Sequence, residues 1–259
     1  MLSTLFASAT LLNSALAAVL WDGRFTAETI PTINNWSWSN QKGPYQWYIH
    51  GTGATSKYIS TAASYKNPAA SDALGLKLTI DSTAKWNSDM WRTELIPQTT
   101  AAINKGKLFY HFSVMHTGTN APNAAFEHQV CFFESHFTEL KFGWINGQAT
   151  NNPDPMLRWY AGSKSQWNTN FTANVWHNIA FGIDFTGNSV TFYHSAGADA
   201  LVKTAGPIAT STSSNGADWH LGVLRLPKSG VSDGGSEDWY YSGVYIEDGS
   251  LTTSVAGPA

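Results

Sequence analysis

The stretch IDFTGNSVTFYHS, Ile183 to Ser195, sets the terms for the whole chain. Apolar and polar residues alternate on both sides of Gly187-Asn188. A period of two around a Gly-Asn turn points to a β-hairpin, because successive strand side chains face opposite ways. The same texture recurs throughout. Short runs rich in Val, Ile, Phe, Tyr, Trp and Thr alternate with clusters of Gly, Asn, Ser, Asp and Pro, and helical periodicity is nearly absent. No Pro- or Ser-rich linker divides the chain, and no internal repeat is visible. The expectation is an all-β, single-domain jelly roll: two packed antiparallel sheets with a concave substrate groove.

Met1 to Ala17 is apolar, rich in small residues, free of acids, and ends in ALA. It reads as a removable secretory signal (residues 1–17), leaving an extracellular domain over residues 18–259. The run is too short and too interrupted by Ser, Thr and Asn to span a membrane. The remaining length, about 240 residues, suffices for one full core. The single cysteine, Cys131, rules out a disulfide within the chain and reads as an inert buried thiol. A formal net charge of −3 argues against a nucleic-acid partner. A monomer is expected. Two sequons, Asn35-Trp36-Ser37 and Asn170-Phe171-Thr172, are candidate glycan sites in an extracellular glycoprotein.

Three stretches carry polar groups where a plain core strand would not. In MWRTELIPQ, Arg92 and Glu94 share one face and Trp91, Thr93 and Leu95 the other. In FEHQVCFFESHF, strict alternation puts Gln129 with Cys131. In DWYYSGVYIEDG it puts Trp239, Tyr241, Gly243, Tyr245 and Glu247 together. Burying a face with Arg92, Glu94, Gln129 and Tyr245 against another sheet would be costly, so it is expected to line the groove. For Arg92 and Glu94 the alternative is a purely structural ion pair.

These stretches, RTEL at Arg92–Leu95, QVC at Gln129–Cys131 and WYYSGVY at Trp239–Tyr245, resemble the signature strands of the alginate-lyase-like polysaccharide lyases. The whole chain, with WHNIAFGIDF, looks most like the secreted glucuronan lyases of polysaccharide lyase family 20. It departs from the lyase pattern at Cys131, where the family motif has His, and at Tyr241, where it has Lys. The resemblance implies an endo-acting lyase that cleaves an anionic polysaccharide, β-1,4-glucuronan, by β-elimination. Arg92 and Gln129 would neutralise the substrate carboxylate, and Tyr245 would serve as base and acid in a same-face elimination. Glu94 would brace Arg92. Trp239 and Tyr241 would line the groove, and His50 and His116, at strand ends, are reserve groove residues ahead of His111, His128 and His136. The resemblance also implies a structural calcium, with Asp22 and Asp238 as candidate ligands.

Competing readings are a mannuronate-preferring alginate lyase and a non-catalytic lectin. A jelly-roll glycoside hydrolase ranks below these, because it needs two placed carboxylates and Glu94 has no acidic partner on its own strand.

Overall fold

The computed structural model describes residues 17–258, so residues 1–16 of the expected leader lie outside the described residues. Among the described residues there are fifteen strands and almost no helix. In chain order the elements are β1 (Ala18–Asp22), α1 (Thr29–Asn34), β2 (Tyr45–Ile49), α2 (Thr55–Tyr58), β3 (Ile59–Ala62), β4 (Gly75–Ile80), β5 (Trp91–Pro97) and β6 (Lys107–Met115). There follow β7 (His128–Phe133), β8 (Thr138–Phe142), β9 (Met156–Ala161), β10 (Lys164–Asn170), β11 (His177–Asp184) and β12 (Ser189–Ala196). The last three are β13 (Val202–Ala209), β14 (Trp219–Arg225) and β15 (Glu237–Asp248). No helix among them is long and apolar enough to cross a membrane.

The strands form two antiparallel sheets, as the sequence texture requires. One runs β13-β12-β11-β6-β15-β4-β3, with β1 paired to β15; the other runs β10-β9-β8-β7-β14-β5-β2. The predicted hairpin is β11–β12, in register from His177 opposite Ala196 to Asp184 opposite Ser189. The core lies between the sheets. Trp91, Leu95, Val130, Trp159, Trp219 and Leu221 enter it from one side, and Leu78, Tyr110, Phe181, Phe192, Trp239 and Tyr241 from the other. Burial of these large apolar side chains is the dominant favourable term in folding.

Two of the bulges bear on the predicted site strands. Where β14 meets β7 the register slips between His220 and Val223, and Cys131 adopts φ 48°. Cys131 therefore joins Val130 in the core instead of sharing a face with Gln129. Where β15 meets β6 the register slips between Ser242 and Tyr245, with Gly243 at φ +62°. Trp239, Tyr241, Val244 and Ile246 consequently turn into the core, while Tyr245 does not. An extra residue in one strand flips every later side chain.

Candidate active site

β5 alternates as its sequence dictates. Thr93 Oγ1 donates to the Thr79 carbonyl of β4 across the sandwich, at 3.1 Å. Arg92 and Glu94 therefore project from the outer face. They form a bidentate pair, Nε to Oε1 at 2.7 Å and Nη2 to Oε2 at 2.8 Å. Both are buried, Glu94 completely, so they occupy a recess and not open sheet.

Glu94 has a second partner. His220 Nδ1 lies 2.5 Å from its Oε2. The other ring nitrogen, Nε2, lies 3.2 Å from Oε2 of Glu134, which follows the end of β7. One imidazole thus has a carboxylate at each nitrogen. The Glu134 side chain is 70% exposed, whereas those of His220 and Arg92 are 4% and 9% exposed. Glu134 is the member of the group that faces solvent.

β14 also lies close against β5 at this point. Gly222 brings β14 so close to β5 that a Cβ would meet the Thr93 carbonyl oxygen at 2.3 Å. Trp219, Leu221 and Val223 point inward at every second residue and His220 points out, while in β7 the adjacent Val130 and Cys131 both turn into the core. Its ring is held by stacking on Phe132 at 4.6 Å, and Phe132 stacks on His136 at 5.2 Å.

On one flank a polar row crosses the sheet. Leu224 lies opposite both Arg92 and Gln129; Gln129 lies opposite Lys141, and Lys141 opposite Arg158. Lys141 pairs with Glu127 at 2.7 Å and Glu139 at 3.6 Å. Burial works against the Lys141 charge, but the two carboxylates outweigh it and raise its pKa. The hydrogen bond between His136 Nδ1 and Glu139, 3.1 Å long, raises the histidine's pKa.

The other flank is aromatic. Tyr48 of β2 stacks on Trp36 at 5.8 Å, and its ring centroid lies 4.8 Å from Trp38 and 6.2 Å from Trp86. Arg92 lies over Trp86 at 6.0 Å. Burial pushes the Tyr48 phenol up, Glu134 and Glu94 add to this, and Arg92 opposes it. Through Trp86 the Tyr48 cluster adjoins Arg92 and so the Arg92–Glu94 pair.

The structure brings together Arg92 and Glu94 and places Gln129 in the neighbouring polar row. It separates the other predicted site residues. Tyr245 belongs to the opposite sheet, where it stacks on His111 at 4.2 Å. Tyr241 is fully buried and its hydroxyl donates to the Gly222 carbonyl at 3.0 Å; Trp239 is also fully buried. Both belong to the core instead of a groove wall. His50 stacks on Trp47 at 3.8 Å, and burial lowers its pKa. His116 is buried with its ring nitrogens against the carbonyls of Thr117 and Phe171.

The expected calcium ligands do not meet. β1 runs antiparallel to β15, so Asp22 lies opposite Tyr245, seven residues along β15 from Asp238. At about 3.3 Å per residue that is roughly 23 Å. Asp22 is paired with Arg24 at 2.6 Å, and Asp238 accepts from Thr79 and Asn120. Among the described residues no group of three or more His, Cys, Asp or Glu is arranged to hold a metal ion. These residues do not fit a calcium site.

Sequence reasoning missed Glu134, His220 and the Trp36–Trp38–Tyr48–Trp86 cluster. Glu134 lies in FFESHF, just past a strand end, and His220 in WHLG, 126 residues from Glu94. The available signal was polar residues, His and Glu, next to runs of core aromatics.

The model of the glycoside hydrolase 131 catalytic N-terminal domain matches residues 19–252. A glycoside hydrolase family 131 β-glucanase catalytic domain from Podospora anserina is 56% identical, with 93% of this chain and 100% of that one covered and a TM-score of 0.90. The catalytic domain of the family 131 protein from Coprinopsis cinerea is 51% identical, with 92% and 98% covered and a TM-score of 0.85. No match was found among curated proteins.

Proposed function

The chain belongs to glycoside hydrolase family 131, and from that premise we propose that it hydrolyses β-linked glucan with Glu134 and Glu94 as its paired carboxylates. The family corrects the reading drawn from the three short motifs. Polysaccharide lyase family 20, β-elimination and a glucuronan substrate all fall, because relatives at 56% and 51% identity over nearly the whole chain are glycoside hydrolases. The alginate-lyase and lectin alternatives fall with them. The hydrolase reading ranks last on the sequence for want of an acidic partner to Glu94; that partner, Glu134, comes from the turn after β7, not from β5.

One observation carries the proposal: His220 stands between two carboxylates. Glycoside hydrolysis needs one carboxyl group to protonate the leaving oxygen and another to assist at C1. The imidazole and its two contacts set the facing oxygens on the order of 7 to 8 Å apart, inside the carboxyl separation of about 6.5 to 9.5 Å that inverting hydrolases use. Glu134, open to the groove, is the proton donor. Glu94 only accepts, because two guanidinium N–H groups and His220 already engage its oxygens. In the reaction the water oxygen bonds to C1, the C1–O bond breaks, Glu134 gives its proton to the departing oxygen, and Glu94 accepts one from water. The configuration at C1 inverts. The leader sequence supports an extracellular site of action.

Incubation with soluble β-linked glucans, followed by reducing-end release and proton NMR, tests this. New reducing ends should appear first as the α-anomer, and Glu134→Gln should lower kcat by about 10²- to 10⁴-fold. Full activity in Glu134→Gln would remove the assignment, and a β-anomer as first product would remove the inverting scheme.

A further inference from the structure

The aromatic flank is not explained by packing. Trp38 is 63% exposed and Trp86 38%, though large apolar rings gain most when buried. They are also not scattered. Trp38 and Trp86 both contact Tyr48, and Trp36 supports the group from behind, its indole N–H donating to Gln98 Oε1 at 2.7 Å. Trp86 ties the cluster to the catalytic group, because Arg92, which holds Glu94, lies over its ring at 6.0 Å. The flank is therefore a supported apolar surface, open to solvent, continuous with the proposed catalytic group. Contiguous exposed apolar surface of this kind marks a binding site.

Its chemistry selects the occupant. The cations beside Trp86 are already neutralised: Lys85 pairs with Asp89 at 3.0 Å, and Arg92 with Glu94. Nothing in the cluster is left to attract a carboxylate. A β-linked glucosyl ring carries its hydroxyls around its rim and presents flat C–H faces, which suit aromatic rings. We propose that Trp38, Tyr48 and Trp86 form a stacking subsite for a neutral β-linked glucosyl unit, next to the bond being cleaved. The subsite rests on the hydrolase reading for its polarity relative to Glu134, but its existence can be read by binding alone.

The test uses the full chain carrying Glu134→Gln, titrated calorimetrically with β-1,3- and β-1,4-linked glucohexaose and with a glucuronate oligomer. Trp38→Ala in that background should weaken glucohexaose binding roughly tenfold, the loss expected of an aromatic anchor. Trp38→Phe should recover most of it, and Trp86→Ala should act in the same direction. The glucuronate oligomer should bind at least tenfold more weakly than glucose oligomers. Affinity unchanged by Trp38→Ala, equal binding of the charged oligomer, or no measurable binding by the parent would each overturn the subsite. Hydrolysis by the wild-type chain is measured separately. If it fails while binding depends on Trp38, the hydrolase reading falls and the subsite stands. If hydrolysis proceeds with KM unaffected by Trp38→Ala, the reverse holds.

Discussion

Arg92→Met separates a residue that grips substrate from one that holds another residue. Arg92 makes two charge-assisted hydrogen bonds to a carboxylate with no solvent exposure, and its own side chain is 9% exposed. Removing one partner of a buried pair leaves the other charged and uncompensated, at a cost of about 3–5 kcal/mol. His220 still contacts Glu94, which argues for the lower end of that range. In a domain of this size such a loss lowers Tm by on the order of 10 °C. The second variant, Glu94→Gln, removes the charge itself, so in the double variant the arginine deletion should cost little more. A double-mutant cycle by urea unfolding should give a coupling of about 2 kcal/mol or more. If Arg92 instead acted only on substrate, Arg92→Met would lose activity at unchanged stability. That result would refute the argument that it holds Glu94.

Two further outcomes are expected. Tyr245→Phe should keep kcat within about twofold on β-glucan, since Tyr245 lies in the opposite sheet; a loss on the scale of general acid catalysis, 10²-fold or more, would show otherwise. His177 and His194, 3.0 Å apart, are held at pKa values of about 4 by burial, with the charge of His116 adding to it at His177 and that of His177 at His194. Their folded pKa lies below the ordinary 6.5, so the unfolded chain binds more protons between those values. Stability from this pair is intact above pH 6.5 and lost as pH falls towards 4. Melting temperature measured across that range should drop, and His194→Gln should flatten the fall; an unchanged slope would exclude the pair.

What could be read from the sequence was what period two decides locally. The assignment of Trp91 and Leu95 to the core and of Arg92 with Glu94 to the outer face needed only neighbours in one strand. The all-β texture and the β11–β12 hairpin were legible for the same reason. The bulges at Cys131 and Gly243 were not, because each answers to a partner strand far away in sequence. They moved Cys131 from its expected face and split Tyr245 from Tyr241. The pairing of Glu94 with Glu134 through His220 was hidden likewise: three strands, joined only in space, supply it. Short motifs with the right order suggested a lyase, yet an Arg-Thr-Glu-Leu strand serves equally to seat a hydrolase carboxylate.

The strand order has a consequence for the nascent protein. β14 and β15, the last two strands of the domain among the described residues, take interior places, β14 between β7 and β5 and β15 between β6 and β4. Until they arrive, each sheet is two fragments with bare edges facing a gap, the arrangement most prone to pair with the wrong chain. Neither half can close early, and His220 reaches Glu94 only at the end. A ribosome stalled before Trp219 would hold a polypeptide with most of its hydrophobic residues and neither sheet complete. The domain therefore has to be held apart from its neighbours until β14 and β15 are delivered, and a truncation before them would undo both layers at once.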